Sequence, residues 1–476
     1  MKILSEEKYR DIQSRLRQEF GDDCLKTDAE SLATYGKDWT SAYTPDPLAV
    51  TLPRDIGQVV ALVKLANELD FSLVPSGGRT GLSGGAVAGN REVVIAFDRM
   101  NRILDFDPVD RQVICEAGVV TAQLQQFAEQ QSLYYPVDFA SAGSSQIGGN
   151  VATNAGGIKV IRYGMTRQWV MGLKVVTGTG ELLDLNRGLV KNATGYDFRH
   201  LFIGSEGTLG LIVEVTVALT SLPRDPTVLV LAVPDMPACM EVLKKFQQQI
   251  PLSAFEFFSE QALEHVVRER GLQRPMASRS PFYALIEIEN DSEERLEQAL
   301  GLFESCLDDG WVVDGTVSQT AGQAESLWRL REDISETISR YKPYKNDISV
   351  KVSRVPAFLD EVDRLVSARY PDFEIIWFGH IGDGNVHLNI LKPDDLALEV
   401  FQSRCATVSR EVYELVKDHG GSISAEHGVG LLKKPFLEAS RSAAEIAYMR
   451  GIKRVFDPNG ILNPGKVFAL DETEGP

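Results

Sequence analysis

The sequence predicts an α+β protein of two or three domains, on three observations. Its 476 residues exceed what one ordinary hydrophobic core serves. Past Leu222-Pro223-Arg224-Asp225-Pro226 the composition changes, and strand-like runs at 228–233 and 282–289 are each followed by a helical run, at 238–249 and 293–306. That order predicts helices packed on an antiparallel sheet. Before the boundary, short apolar runs are separated by glycine-rich blocks.

The elements follow in order. Residues 1–20 read as an amphipathic helix with Glu6, Glu7, Asp11 and Glu19 among its charges. It has no apolar run of the kind a secretory signal needs and is not poor in acids, so neither a secretory nor a transit segment is expected. Residues 56–70 carry apolar positions at helical spacing, and the apolar run 71–74 enters the first glycine block, Pro75-Ser76-Gly77-Gly78-Arg79-Thr80-Gly81-Leu82-Ser83-Gly84-Gly85-Ala86. Strands are expected at 93–97, 103–106 and 113–115 and a helix at 121–130. The second block is Ser141-Ala142-Gly143-Ser144-Ser145-Gln146-Ile147-Gly148-Gly149-Asn150-Val151-Ala152-Thr153-Asn154-Ala155-Gly156-Gly157. The third, Gly204-Ser205-Glu206-Gly207-Thr208-Leu209-Gly210, precedes a strand at 211–217. Residues 443–470 predict a helix ending at Phe456-Asp457-Pro458, then the turn Asn463-Pro464-Gly465 before Lys466. Residues 471–476 read as a loose acidic tail.

Composition excludes several classes. Apolar residues at 43% and charged residues at 24% are globular values. A net charge of −18 argues against nucleic acid or an anionic membrane as the main partner, though a local basic cluster can still take an anionic substrate. Five scattered cysteines with no CxxC fit a reducing compartment. No window reaches the length of a membrane span. The expectation is a cytoplasmic protein.

Two stretches carry candidate chemistry. One is Phe378-Gly379-His380-Ile381-Gly382-Asp383-Gly384-Asn385-Val386-His387-Leu388-Asn389, the other Ser424-Ala425-Glu426-His427-Gly428-Val429-Gly430. They hold three of only six histidines. Two imidazoles and one carboxylate, here His380, His387 and Glu426, are a common ligand set for a catalytic divalent metal that keeps a position open. Nitrogen and carboxylate ligands suit zinc, and also manganese or cobalt. His427 is left as a general base, and Asn385 and Asn389 as groups that position a carboxylate or the ligands. The glycine blocks let backbone N–H groups approach a diphosphate, and together they suit a large planar cofactor. None is a Rossmann or Walker motif. On these residues alone the alternatives are a metal-dependent hydrolase whose glycine loops are merely structural, and a cofactor-binding subunit without turnover.

Residues 46–222 resemble the FAD-binding domain of the vanillyl-alcohol oxidase superfamily (the p-cresol methylhydroxylase, or PCMH, type), on the glycine blocks, Pro136-Val137-Asp138 and Arg162-Tyr163-Gly164. The histidine stretches and Asn463-Pro464-Gly465-Lys466 resemble the FAD-linked D-2-hydroxyacid dehydrogenases, a branch acting on D-lactate, glycolate or D-2-hydroxyglutarate. The resemblance implies an FAD-binding domain at 1–222 (core about 46–222), an α+β substrate and metal-binding cap at 223–442, and a C-terminal helical return to the flavin at 443–476. It implies that Ser76, Gly77, Gly78, Arg79, Thr80 and Gly81 hold the FAD diphosphate. Pro136, Asp138, Ser144, Gly148, Asn150, Thr153, Asn154, Gly157, Tyr163, Gly164, Glu206, Gly207 and Ile212 would line the rest, with Asn463 at the ring. Neither early glycine block has a His or Cys, so FAD is expected to be non-covalent.

The resemblance also implies the reaction: hydride from a D-2-hydroxy acid to flavin N5, the hydroxyl proton to His427, and a metal on His380, His387 and Glu426. Arg331, Ser335 and Lys345 resemble the substrate loops of the D-2-hydroxyglutarate branch. Ser335 stands where that pattern has Thr, and the spacing to Lys345 is one residue shorter. With Asn389 and His427, they imply a dicarboxylate substrate, D-2-hydroxyglutarate. D-malate, D-lactate and glycolate remain alternatives. An electron-transfer flavoprotein or quinone as acceptor and a homodimer complete the expectations.

Overall fold

The computed structural model describes residues 5–40, 42–290 and 292–469. The expected acidic tail at 471–476 lies outside them. The chain divides into two compact units, one of Met1–Ala155, Met165–Leu222 and Glu426–Pro476, the other of Gly156–Gly164 and Pro223–Ala425. Residues 156–164 therefore group with the second unit and 426–442 with the first, unlike the segments 1–222 and 223–442 drawn from sequence.

The first unit holds two principal sheets. One has four strands in the order Leu25–Lys26, Ala49–Thr51, Val93–Ala96, Leu73–Ser76, the last three parallel. The crossover between Ala49–Thr51 and Leu73–Ser76 is the helix Ile56–Leu69, which starts where the Asp55 carboxylate accepts the Gln58 N–H. It buries Val59, Leu62, Val63 and Ala66, the apolar face its spacing predicts. The other sheet has five antiparallel strands in the order Ile103–Asp107, Gln112–Glu116, Gly210–Ala218, Val170–Thr177, Leu182–Leu185. A seven-residue helix, Ile147–Thr153, lies inside the second glycine block, where only a loop was expected. Gly148 and Gly149 lower its propensity, but Ile147 and Val151 are fully buried, and that packing decides the local structure.

The second unit is built on a seven-stranded antiparallel sheet, in the order Asp314–Val317, Pro226–Val233, Phe282–Glu289, Leu252–Ser259, Ile375–Gly379, Asn385–Ile390, Tyr344–Ser349. Residues on both sides of the central strands are buried, so both faces are covered. One face packs Val230, Phe258, Leu285 and Ile376 with Leu263, Trp328, Ile334 and Ile338 of the helices Glu260–Arg270, Ala321–Glu332 and Ile334–Ser339. On the other, Ser409 of the helix Leu398–Asp418 donates to Asn346 at 3.2 Å. All five cysteines are buried and unbridged. No described helix is long and apolar enough to cross a membrane.

Candidate active site

In the first unit, the strand Leu73–Ser76 delivers the first glycine block at its carboxyl end, where open α/β sheets bind nucleotides. Gly78 lies so close to the second block that a Cβ there would sit 2.1 Å from the Ser144 carbonyl oxygen, so no other residue fits. Arg79 takes φ 61°; its guanidinium donates to the Gly77 carbonyl (2.9 Å), pairs with Asp98 (3.1 Å) and covers the Tyr35 ring. Its charge braces the loop, and the loop offers backbone to the cleft.

That cleft is lined by Gly77, Gly78, Arg79, Thr80, Gly81, Gly148, Asn150, Thr153, Glu206, Gly207, Ile212 and His427, all expected from sequence. Ser76 is buried beneath it, its Oγ without a hydrogen-bond partner among the described residues. Asn150 donates to Thr121 Oγ1 (2.7 Å) and the Thr153 hydroxyl to the Gly149 carbonyl (3.0 Å), so both brace the short helix. Glu206, in the lining, also holds a loop. Its carboxylate accepts N–H bonds from Val429 (2.7 Å) and Gly430 (2.8 Å), which holds the loop after His427. Burial raises its pKa.

Other expected residues sit outside the lining. Pro136 is buried; Asp138 accepts from Gln125 (3.4 Å), and Asn154 accepts the Arg167 N–H (3.0 Å). Asn463 donates to the carbonyls of Gly85 (2.9 Å) and Glu206 (2.7 Å), and its buried Oδ1 has no partner among the described residues. Gly157, Tyr163 and Gly164 belong to the second unit, where the Tyr163 hydroxyl donates to Glu289 at 3.1 Å. Sequence reasoning missed Asp38 and Gln146 in the lining. Asp38 accepts the Gly84 N–H (2.8 Å), and burial pushes its carboxyl up to about 6. No motif marks Asp38; Gln146 stands inside the second block, and its buried Oε1 lacks a partner among the described residues. Unspent buried acceptors and a backbone-rich floor fit a cofactor with a ribityl chain and a diphosphate.

In the second unit, one sheet face carries a polar stripe. Strand register puts Lys345 opposite Asn389 and Asp347 opposite His387, with Phe378 on the far side of His387. The hairpin between Ile375–Gly379 and Asn385–Ile390 folds His380 back on His387, ring centroids 5.3 Å apart, as the glycine turn predicts. His380 Nδ1 lies 2.8 Å from Glu256 Oε1, and His387 Nδ1 lies 3.6 Å from Asp347 Oδ1, which also accepts from Asn385 Nδ2 at 2.9 Å. A carboxylate on Nδ1 is what orients a histidine to ligate a metal through Nε2, so this donor set fits a metal. In the first unit, Glu426 Oε1 lies 3.6 Å from His427 Nε2.

Arg331 is not the helix-surface charge that an isolated arginine usually is. It is 5% exposed, pairs with Glu256 Oε2 at 2.8 Å and covers the Phe378 ring at 4.8 Å. Its Nε, and Asn389 Nδ2 on the strand, are buried without hydrogen-bond partners among the described residues. Lys345 Nζ donates to Ser335 Oγ at 3.0 Å, so the expected pair does meet. Glu256, Glu287 and Lys159 were not found from sequence. Lys159 pairs with Glu287, whose other oxygen accepts from Trp328 Nε1 at 2.7 Å.

Residues 222–467 match the family of FAD linked oxidases, C-terminal domain, and residues 47–186 match the FAD binding domain. Over 443 residues the chain is 61% identical to the D-2-hydroxyglutarate dehydrogenase of Stutzerimonas stutzeri (strain A1501), covering 93% of this chain and 96% of that one. The chain belongs to the D-2-hydroxyglutarate dehydrogenase family of FAD-linked oxidases. A second family member, from Xanthomonas citri pv. viticola, is 53% identical over 444 residues, 93% of this chain and 94% of its own. Among solved structures, p-cresol methylhydroxylase with substrate bound superposes with a TM-score of 0.75, at 15% identity, over 98% of both chains. The fold of this family member is thus the PCMH type expected, and the chain is a flavin-dependent dehydrogenase.

Proposed function

We propose that this chain oxidises D-2-hydroxyglutarate to 2-oxoglutarate and passes the electrons to an external acceptor, an electron-transfer flavoprotein or a quinone. One observation carries the substrate: the buried Arg331 with its unspent Nε, which covers Phe378 on the sheet face that also carries Asn389 and the Lys345–Ser335 pair. These groups give the second unit a cationic, hydroxyl-bearing anchor that a second carboxylate uses and lactate cannot. The names of the relatives at 61% and 53% identity support the same acid.

FAD, bound without a covalent link, supplies the hydride acceptor. Ser76 to Gly81 hold its diphosphate by backbone and hydroxyl groups. Pro136, Asp138, Ser144, Gly148, Asn150, Thr153, Asn154, Gly157, Tyr163, Gly164, Glu206, Gly207, Ile212 and Asn463 complete its surroundings by contact or by bracing the contacting loops. His380, His387 and Glu426 would hold a divalent metal, zinc by ligand type, whose charge would favour the ionised hydroxyl. His427 takes the hydroxyl proton at an imidazole nitrogen. Arg331, Ser335, Lys345 and Asn389 orient the carboxylates. In this reading residues 1–222 serve FAD, 223–442 substrate and metal, and 443–476 return to the flavin, in a cytoplasmic homodimer.

The test is anaerobic. D-2-hydroxyglutarate, D-malate and D-lactate are added separately while the oxidised-flavin absorbance is followed. Fast bleaching by D-2-hydroxyglutarate, abolished by a chelator, is expected. Bleaching led by malate or lactate moves the substrate, and a colourless protein returns the metal-hydrolase reading. Arg331→Ala should cost the dicarboxylates about 2–3 kcal/mol, roughly 30–150-fold in kcat/KM, and D-lactate far less. An equal loss on both sinks the distal anchor.

A further inference from the structure

Glu256 is a carboxylate in an unusual place. It sits on the central strand Leu252–Ser259 between Phe255, Phe257 and Phe258, all within 1% of full burial, and is itself 1% exposed. An apolar residue would pack there at no electrostatic cost, whereas a buried charge is tolerated only when paired. Oε1 lies 2.8 Å from His380 Nδ1, and Oε2 is ion-paired with Arg331 Nη2 at 2.8 Å without a hydrogen-bond partner among the described residues. The strand pairing Phe257↔Gly379 and Phe258↔Phe378 places His380 beside Glu256, and the Arg331 guanidinium over Phe378 completes the row.

We propose that Glu256 is a positioning residue that fixes His380 for its ligand and Arg331 for the substrate carboxylate at once, so that metal affinity and dicarboxylate recognition are coupled through one side chain. The inference rests on the metal and substrate reading above. An acceptor on Nδ1 keeps that nitrogen protonated and leaves Nε2 as the ligating atom. The opposite oxygen fixes the guanidinium by charge at Nη2, 2.8 Å away, and leaves its Nε unspent. Glutamine cannot do both. With its oxygen towards His380, its NH2 meets a guanidinium that has only donors; turned round, it donates to Nδ1 and selects the wrong tautomer.

The experiment measures zinc affinity of the metal-free protein by chelator competition, and steady-state kinetics at saturating zinc, for wild type, Glu256→Gln, Arg331→Met and His380→Ala. Glu256→Gln should raise the zinc Kd about 10–100-fold. At saturating zinc it should raise KM for D-2-hydroxyglutarate at least tenfold while changing KM for D-lactate less than threefold. A zinc Kd and both KM values within twofold of wild type overturn the proposal. Arg331→Met keeps the carboxylate and serves if Glu256→Gln does not fold. Freed of the guanidinium, Glu256 makes His380 a more basic ligand, so zinc should bind at least threefold tighter. Unchanged or weaker binding there overturns the coupling. Wild-type protein that binds no zinc removes the metal reading and this inference together. Zinc that binds wild type, is lost in His380→Ala and is unmoved in Glu256→Gln removes this inference alone.

Discussion

Lys466 closes the Asn463-Pro464-Gly465-Lys466 motif and is 3% exposed. Burial lowers its pKa to about 8, against the attraction of Glu92 and Asp38. An unfolded chain keeps this proton until about 10.5 and the folded one only until about 8, so stability from this group rises with pH across that interval and is lowest below it. Lys466→Met should flatten the rise in Tm between those limits and stabilise the fold at pH 7 by up to about 3 kcal/mol. A variant with the same slope as wild type excludes this account. His427→Ala makes the complementary case: turnover should fall about 10²–10⁴-fold, far more than the flavin content read from absorbance per protein. Normal turnover removes His427 from the chemistry. At this scale His380, His387, Glu426 and His427 were legible because rare residue types cluster around glycine turns. Glu256 was not, because a lone acid in a phenylalanine-rich strand has no local signature and its partner His380 is 124 residues away.

Elements differ in how openly the sequence declares them. The helix Thr121–Gln130 and the strand Phe282–Glu289 end where periodicity and flanking residues place them. The strands Leu252–Ser259 and Asn385–Ile390 are buried on both sides, so they lack the alternation that marks a half-exposed strand. The turn between the two histidine-bearing flanks shows what one element demands of one residue. Gly384 has φ +87°, and a Cβ there would lie 2.1 Å from the Val350 carbonyl oxygen. Gly384→Ala should therefore cost about 1–3 kcal/mol of strain and shift His380 against His387, so the zinc affinity proposed for that pair should fall. Wild-type zinc affinity and Tm in that variant would show that the turn bears no such constraint.

For the molecule as a whole, the first unit is the one with the cofactor cleft, and ligand binding stabilises by mass action. FAD at about 100 times its Kd should add about 2.7 kcal/mol to the apo-protein, while riboflavin, which lacks the diphosphate, should add little. Calorimetry of apo-protein with each flavin decides whether the glycine blocks carry the affinity; equal stabilisation by both would place it at the ring instead. The α+β class was readable from the order of strand and helix signals, but the grouping of Gly156–Gly164 with residues 223–425 was not. It depends on contacts such as Lys159 with Glu287 and Tyr163 with Glu289, made across more than a hundred residues.

The chain order of the first unit has a consequence for how the protein is made. Its parts flank the second unit in sequence, and its last part is stitched in tightly: Leu462 bridges Leu73, and Lys453 Nζ, 2% exposed, donates to the carbonyls of Thr208 (2.6 Å) and Leu462 (2.7 Å). On the ribosome, at about 5–20 residues per second, the nascent chain must spend roughly ten seconds or more building the inserted unit before these closing residues emerge. Flavin capture is thus expected to be post-translational, and every ribosome that stops short of residue 427 releases a chain that lacks part of the cleft lining.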